Sequence, residues 1–286
     1  MSSRPDSPAH LEVISGALTD PGLRRPVNED AHLAAFPVFL VADGMGGHEA
    51  GDRAAAAVID AFRGFVGRSD LTPEEVAHAV YAAHSAVAAI SAGTSRGAGS
   101  TLTGLVAVQQ DGERRWLVVN VGDSRVYRLL SERLEQLTVD HSIAQEMVDA
   151  GRLTREEMST FEGRNVITRA VGGERSPADY WLLPVVNGER MLICSDGLSG
   201  EVTDEAIRAG LLVGGSPVHT AGSLVGQALA HGGRDNVTVI VVDVVGGGIH
   251  PRVEDTTGGL ATGGSGFATG TIEAATVPSA RRRSRD

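Results

Sequence analysis

Six acidic residues lie beside predicted strands, where their carboxylates would meet at the edges of a sheet. They are Glu29, Asp30, Asp43, Asp123, Asp196 and Asp235. Asp43 and Asp196 each end a fully apolar run, in VFLVADG and MLICSDG, and each precedes a predicted helix. An isolated buried charge is very costly, so carboxylates at such positions must be paired, protonated or bound to a metal ion.

The ligand types in this set indicate which metal ion could bind. Carboxylate oxygens without thiolate or clustered imidazole favour hard cations, Mg²⁺ or Mn²⁺ rather than zinc. Gly44 would let its main-chain carbonyl approach an ion beside Asp43. However, a single Asp-Gly pair is more often a turn or a helix cap than a ligand, and Asp30 alone could be a cap. The spacing by itself therefore leaves a metal site and a set of structural turns both open.

Several other classes of site conflict with the sequence. The string DGMGGHEAG has the glycine spacing of a dinucleotide-binding loop, but Glu49 occupies the third glycine position and Asp43 would repel a pyrophosphate. The chain contains no lysine, because all 25 basic residues are arginine. This excludes a Schiff base, a Walker A lysine and the lysine of protein kinases.

Composition is typical of a soluble globular protein. The chain has 286 residues, of which 42% are hydrophobic and 21% are charged. No apolar run approaches the length of a membrane span and no signal peptide is visible, so a cytoplasmic location without membrane contact is expected. The net charge of −11 argues against nucleic acid as a partner. The single cysteine, Cys194, lies in an apolar run and is predicted to be a buried thiol.

Three regions differ in composition. Residues 1–10 are polar and predict a flexible N-terminus, and residues 11–245 carry the apolar patterns of a folded domain. Residues 246–286 are rich in Gly, Thr and Ala, have few large apolar side chains and end in an arginine cluster, which predicts a disordered tail. The arginine cluster could contact an acidic partner or could simply be solvated.

The domain alternates between strand and helix patterns. Two helices are predicted by apolar stripes over 55–66 and 76–90, and Thr72-Pro73-Glu74-Glu75 is a capping box before the second. A last helix is predicted over 217–231. Strands are predicted over 100–109, 115–121 and 124–130, as a pair over 179–186 and 190–195, and over 236–244, with Asp111-Gly112 as a hairpin turn. Short turns between consecutive strands favour antiparallel pairing, so the pattern indicates sheets covered by helices rather than a doubly wound parallel sheet.

Eight motifs occur in the order found in one enzyme family. They are TDPGLRRPVNEDA, VADGMGGHEAGDRAA, GSTLTGLVAV, NVGDSRVYRL, LTVDHSIAQEMVDAGRLT, NVITRAVG, ICSDGLSGEVTDE and GRDNVTVIVVDV. Over residues 12–244 the chain resembles the metal-dependent protein serine/threonine phosphatases of type 2C, and its bacterial members most. The resemblance implies an α+β fold, a four-layer α/β/β/α sandwich with two central antiparallel sheets and a helix pair on each outer face.

The resemblance also implies a role for each acidic residue. Asp43 would bridge two Mn²⁺ or Mg²⁺ ions, with the Gly44 carbonyl on the first and with Asp196 and Asp235 on the second. Glu29 and Asp30 would hold metal-bound water, and Asp123 with Asp196 would form a weaker third site. Arg25 would grip the substrate phosphate, and residues 140–165 would form a mobile flap. His48 is either a proton donor or a residue that organises the glycine loop.

The implied function is the hydrolysis of phosphoserine and phosphothreonine in proteins. Two cations about 3.5–4 Å apart can bind a shared water, lower its pKa and direct it at phosphorus. The expected partners are phosphoproteins and the bacterial serine/threonine kinases that the enzyme would oppose in signalling, and a monomer is expected. Two alternatives remain, a catalytically weak phosphoprotein-binding regulator and a small-molecule phosphomonoesterase. All the metal acids are present, which argues against the first, and a deep closed pocket would favour the second.

Overall fold

The computed structural model describes residues 11–46, 50–158, 160–174 and 176–251, which form two antiparallel sheets. The five-stranded sheet has the order β1 (Glu12–Asp20), β11 (Val237–Gly246), β10 (Arg190–Cys194), β7 (Arg125–Leu130) and β8 (Arg133–Gln136). The six-stranded sheet has the order β2 (Asp30–Ala35), β3 (Val38–Gly46), β5 (Leu102–Gln110), β6 (Glu113–Val121) and β9 (Asp179–Pro184), and its sixth strand, β4 (Ala98–Ser100), pairs with β3.

Two long helices pack against each sheet. Helices α1 (Ala50–Asp60) and α2 (Pro73–Ala92) share a core with the six-stranded sheet, and α6 (Asp204–Val213) and α7 (Pro217–His231) share one with the five-stranded sheet. The described residues also form three short α-helices, α3 (Ile143–Asp149), α4 (Arg155–Met158) and α5 (Asp196–Ser199), and a single 3-10 turn at Arg63–Phe65. The predicted α+β sandwich with two central antiparallel sheets is confirmed.

Strand β3 shows why its sequence is a continuous apolar run. Successive side chains of a strand point to opposite faces. Val38 and Leu40 pack into the core beneath α1 and α2, while Phe39 and Val41 pack into the core between the two sheets. Both faces of β3 are therefore buried, and the strand that carries Asp43 is held in place from both sides.

Local signals in the sequence identified several elements correctly. Asp111 and Gly112 have φ angles of 53° and 79° at the tip of the β5–β6 hairpin, as a two-residue turn requires. Thr72 caps α2, and its hydroxyl and the Glu75 carboxylate form the reciprocal bonds of a capping box. The predicted helix over 217–231 coincides with α7.

The predicted pairing of consecutive strands is wrong at two places. Strands β6 and β7 lie in different sheets, and so do β9 and β10. The chain crosses from one sheet to the other at Gly122, whose φ of 112° is unfavourable for other residues. A Cβ atom at Gly122 would lie 2.6 Å from the Thr101 side chain. This crossing brings Asp123 to the boundary between the sheets.

Ordered structure continues a few residues past the predicted end of the domain at residue 245. Strand β11 ends at Gly246, and Ile249 forms a further bridge with Val186. Residues 1–10 and 252–286 lie outside the described residues, so the flexible N-terminus and the disordered tail remain predictions. No helix within the described ranges is long and apolar enough to cross a membrane.

Candidate functional site

The first two acids of the site are opposite each other on adjacent strands. Asp30 on β2 pairs with Asp43 on β3 in the antiparallel ladder. Residues directly opposite each other on such strands project from the same face of the sheet. Thr101 fixes the main chain of Asp43, because its hydroxyl accepts the Asp43 N–H at 2.9 Å and its own N–H donates to the Asp43 carbonyl at 2.8 Å.

Acids from the other sheet join this pair. Asp196 begins α5 and is separated from β10 by Ser195, and Asp235 lies two residues before β11. Burial and the neighbouring Asp235 raise the pKa of Asp196 to about 6, while its interaction with Asp43 opposes that shift. Burial raises the pKa of Asp43 well above its usual range, and the neighbouring carboxyl of Asp30 adds to the shift. Asp196, Asp123 and Asp235 raise the same pKa further.

Two oxygens of this cluster have no hydrogen-bond partner. The residues Asp30, Asp43 and Asp196 each keep some exposed surface, but Oδ1 of Asp30 and Oδ1 of Asp196 are themselves buried and unpartnered. Buried carboxylate oxygens in native proteins nearly always have a partner, and a bound ion is one recognised explanation for an exception. The carboxylate-only donor set and these two oxygens fit a hard divalent cation.

Asp123 reaches the acid cluster because it directly follows Gly122, where the chain crosses between the sheets. Burial raises the pKa of Asp123, and Asp196 and Asp140 raise it further. Arg125 forms a bidentate ion pair with Asp140, with N–O distances of 2.6–3.1 Å. His141 is bonded to Gly122 twice, because its N–H donates to the Gly122 carbonyl and its Nδ1 accepts the Gly122 N–H. These contacts hold the loop that carries Asp123 beside Asp196.

Arg25 and Glu29 lie on the segment that leads into β2. The Arg25 Nη2 donates to Asp235 Oδ2 at 2.7 Å, and this bond raises the pKa of the guanidinium. Burial raises the pKa of Glu29, and Asp52 of α1 adds to that shift. Arg25 therefore lies beside the acid cluster and forms an ion pair with Asp235. Glu29 faces the start of α1.

Gly44 permits a close approach of three chain segments. A Cβ atom at this position would lie 2.1 Å from the Gly51 carbonyl oxygen and 2.6 Å from that of Glu29. The Gly44 N–H donates to the same Glu29 carbonyl at 3.1 Å. Any side chain would push β3 away from α1, so the glycine is required by packing as well as by the predicted role of its carbonyl.

Several polar residues that the sequence did not single out organise the site. Asn236 donates from Nδ2 to the carbonyls of Pro21 and Val27 and accepts the Glu29 N–H at Oδ1, which ties the segment of Arg25 and Glu29 to Asp235. Ser195 and Thr238 both donate to Asp30. Each of these residues is adjacent to or within three positions of a predicted metal acid, which is the only signal that the sequence offers for them.

A groove opens beside the acid cluster. It has a volume of about 470 Å³, and Asp123 and Asp196 form part of its wall. Arg155 and Arg164 of the segment predicted as a flap also line the groove, and so does the start of α6. The segment over 140–165 is therefore next to the site, while its mobility remains a prediction.

The structure brings together seven of the predicted site residues, and one lies outside the described residues. Those brought together are Arg25, Glu29, Asp30, Asp43, Asp123, Asp196 and Asp235, with Gly44 in the adjoining main chain. His48 falls within 47–49, which the structure does not describe. Within the described ranges, no three His, Cys, Asp or Glu side chains already stand in a coordination arrangement. The metal-binding roles therefore remain proposals.

Comparisons with known proteins place the chain among phosphatases. A family model described as protein phosphatase 2C matches residues 25–216. The serine/threonine protein phosphatase PstP of Mycobacterium tuberculosis is 40% identical over 242 residues, which is 82% of this chain and 46% of that protein. The serine/threonine phosphatase stp of Listeria monocytogenes is 31% identical over 79% of this chain and 93% of that protein.

Solved structures agree with this placement. The crystal structure of M. tuberculosis PstP superposes with a TM-score of 0.77 at 36% identity, over 82% of this chain and 99% of that one. A structure of the PstP catalytic domain in complex with two manganese ions superposes with a TM-score of 0.76, also at 36% identity, over 83% of this chain and 100% of that one. The fold of two central antiparallel sheets is that of these solved phosphatases. The chain belongs to the protein phosphatase 2C family. It spans about half the length, 46%, of the curated M. tuberculosis relative.

Proposed function

We propose that this chain hydrolyses phosphoserine and phosphothreonine in proteins with the help of divalent cations. The observation that carries the proposal is the cluster of acids from both sheets, in which Oδ1 of Asp30 and Oδ1 of Asp196 are buried and unpartnered. Family membership supports it, as does the similarity to PstP, whose catalytic domain binds two manganese ions.

We assign the residues that would hold the cations from the acid cluster together with the family resemblance. Asp43 is central because it is next to acids of both sheets, and Asp196, Asp235 and the Gly44 carbonyl would complete the ligands of two Mn²⁺ or Mg²⁺ ions. Glu29 and Asp30 would accept hydrogen bonds from bound water, and Asp123 with Asp196 would form a weaker third site. Such ions, when bound, supply an activated water and neutralise phosphoryl charge.

Arg25 would bind the substrate phosphate. Its side chain is 52% exposed, and a guanidinium has five N–H donors, so donors remain beyond the one bonded to Asp235. A planar fork can donate to two phosphate oxygens at once. Because Asp235 accepts from one nitrogen, it fixes the direction of the guanidinium before a phosphate arrives.

The groove would position the peptide on either side of the phosphorylated residue. Its lining includes the exposed side chains of Arg155, Arg164 and the start of α6, so the groove suits an extended protein segment better than a small enclosed metabolite. This argument favours a protein phosphatase over a small-molecule phosphomonoesterase. Opposition to serine/threonine kinases and a cytoplasmic location remain predictions, which a phosphoproteome comparison and cell fractionation would test.

A metal-removal experiment tests the proposed function. Hydrolysis of a phosphothreonine peptide should stop in EDTA and return with excess Mn²⁺. Asp43→Asn keeps the size of the side chain but removes its charge, so we expect at least a 100-fold loss of kcat even at saturating Mn²⁺, since an outer ligand alone typically changes activity or affinity about 10- to 100-fold.

The matched control for this experiment is Asp111→Asn. Asp111 is exposed at the tip of a hairpin with a φ of 53°, a conformation that asparagine also tolerates. This variant should keep the activity of the unchanged chain. Full turnover by a chelated, metal-free sample, or by Asp43→Asn, would contradict the proposal.

A further inference from the structure

A chain of hydrogen bonds ends at one oxygen of Asp30. Asn28 Nδ2 donates to Thr19 Oγ1 at 2.8 Å, and Thr19 Oγ1 is 2.7 Å from Thr238 Oγ1. Thr238 Oγ1 donates to Asp30 Oδ2 at 2.6 Å. Ser195 Oγ donates to the same Asp30 oxygen at 2.8 Å.

When Asp30 is ionised, as cation binding requires, it determines the direction of the hydroxyl protons in this series of bonds. Asp30 Oδ2 is an acceptor, so the proton of the Thr238 hydroxyl must point toward it. Thr238 Oγ1 then accepts the hydroxyl proton of Thr19, whose own oxygen accepts from the Asn28 amide. The Ser195 Oγ accepts the Thr238 N–H at 2.9 Å, and its own proton favours Asp30 Oδ2 at 2.8 Å over the Asn236 carbonyl at 3.5 Å. This series of hydrogen bonds therefore directs the Thr238 and Ser195 hydroxyl donors at Asp30 Oδ2.

The donors and Asp30 belong to different sheets. Thr19 on β1 and Thr238 on β11 are direct partners in the five-stranded sheet, and Ser195 follows β10 of that sheet. Asp30 lies on β2 of the six-stranded sheet. The side chains of Ser195 and Thr238 are completely buried. One sheet thus carries the carboxyl, and the other sheet fixes its rotation.

Because Oδ2 of Asp30 is held by two donors, Oδ1 is the Asp30 oxygen left to face a cation or its bound water. Oδ1 is buried and has no partner, whereas Oδ2 has two donors. Without those donors the carboxyl could rotate and exchange its two oxygens. A single defined oxygen beside Asp43 is what a cation or its bound water requires.

We propose that Ser195 and Thr238 are positioning residues that hold Asp30 from the opposite sheet so that its Oδ1 faces the divalent-cation site. This inference rests on the proposed function, because it assigns these hydroxyls a role in cation binding. They do not touch the substrate or the reacting atoms. Their effect passes through Asp30 alone.

Removing the Thr238 hydroxyl tests the inference directly. Thr238→Val has almost the same shape, and we expect it to weaken Mn²⁺ binding, measured by isothermal titration calorimetry, about 10- to 100-fold. Thr238→Ser keeps the hydroxyl and should restore binding to near that of the unchanged chain. Thr19→Val acts one bond further away and should cause a smaller weakening, which provides a second variant if Thr238→Val folds poorly.

Thr220→Val is the matched control. Thr220 of α7 is also buried, and its hydroxyl donates to the carbonyl of Gly214, the residue that follows α6, away from the acid cluster. It should lose stability without losing Mn²⁺ affinity. Unchanged Mn²⁺ affinity in both Thr238→Val and Ser195→Ala, in a chain that binds Mn²⁺ and hydrolyses phosphopeptide normally, would overturn the positioning role alone. Absence of Mn²⁺ binding in the unchanged chain would instead overturn the proposed function.

Discussion

Arg25 is the basic residue beside the acid cluster that remains half exposed, and its single bond to Asp235 leaves the rest of the guanidinium available. A charge-assisted hydrogen bond contributes about 1.5–3 kcal/mol, so Arg25→Ala should lower kcat/KM on a phosphothreonine peptide about 10- to 150-fold. Most of this loss should appear as a higher KM if the contact is equally strong in the ground and transition states.

Two further variants separate charge, geometry and position. Arg25→Lys keeps the positive charge but not the planar fork, so it should recover only part of the lost kcat/KM. Arg24 is the exposed neighbour and serves as the control. If Arg24→Ala were impaired and Arg25→Ala normal in steady-state kinetics, the assignment of the phosphate-binding arginine would be wrong by one position.

Cys194 shows how burial controls a reactive side chain. It is completely buried in β10, and burial raises the pKa of its thiol to about 12. Because the thiolate is the nucleophile, the folded protein should not react with a disulfide reagent such as DTNB at pH 8 over several minutes. One equivalent should react at once in guanidinium chloride. Rapid reaction of the native protein would show that β10 opens readily.

At the level of elements, signals confined to a few residues were enough to place turns and caps. The Asp111-Gly112 turn and the Thr72 cap depend only on residues within three positions, so the sequence predicts them well. The sheet partners of β7 and β10 depend on which face of the sandwich buries each strand, and the predicted pairings were wrong for that reason. Contacts between residues distant in sequence, rather than the local pattern, determine in which sheet each of these strands lies.

The residues of the site likewise divide into those with a local sequence signal and those without one. Acids at strand ends are visible in the sequence because a charge after an apolar run is unusual, and the structure brings them together. Ser195, Thr238 and Asn236 have no such signal. Their bonds to Asp30 and to the segment of Glu29 join residues more than 160 positions apart, so their importance appears only when both sheets are assembled.

Helix α2 allows a prediction at the element scale. Thr72 and Glu75 satisfy each other's main-chain N–H groups at its start. Thr72→Ala should lower the free energy of unfolding by about 1 kcal/mol, measured by urea denaturation. Thr72→Ser keeps the accepting oxygen and should cost much less. Because α2 lies on the outer face, kcat should not change in either variant, and equal stability of Thr72→Ala and the unchanged chain would contradict the role of the cap.

At the scale of the whole molecule, the acid cluster joins the two sheets but opposes folding when no cation is bound. Burial raises the pKa of Asp30 to about 7 and that of Asp123 to about 8, and it raises the pKa of Asp43 well above its usual range. In the unfolded chain these groups would release their protons near pH 4. The folded, metal-free protein therefore binds more protons than the unfolded chain, and its stability falls as pH rises through the raised pKa values.

Histidines determine the pH range in which this effect can be measured. Burial lowers the pKa of His32, His84 and His141, so their contribution to stability has the opposite sign and is lost as pH falls below their unfolded value of about 6.5. Above about pH 7 these histidines are neutral in both states. The acids can then be observed without that opposing trend.

We therefore expect the metal-free protein to lose stability between about pH 7 and pH 8.5, measured by urea denaturation in EDTA. Asp123→Asn removes one of the groups with a raised pKa and should flatten this dependence, whereas Asp111→Asn, at the exposed hairpin, should leave it unchanged. Saturating Mn²⁺ should weaken or reverse the trend, because cation binding needs ionised carboxylates and so improves as pH rises. A metal-free protein that became more stable over this range would show that the acids are not held close together in the folded state.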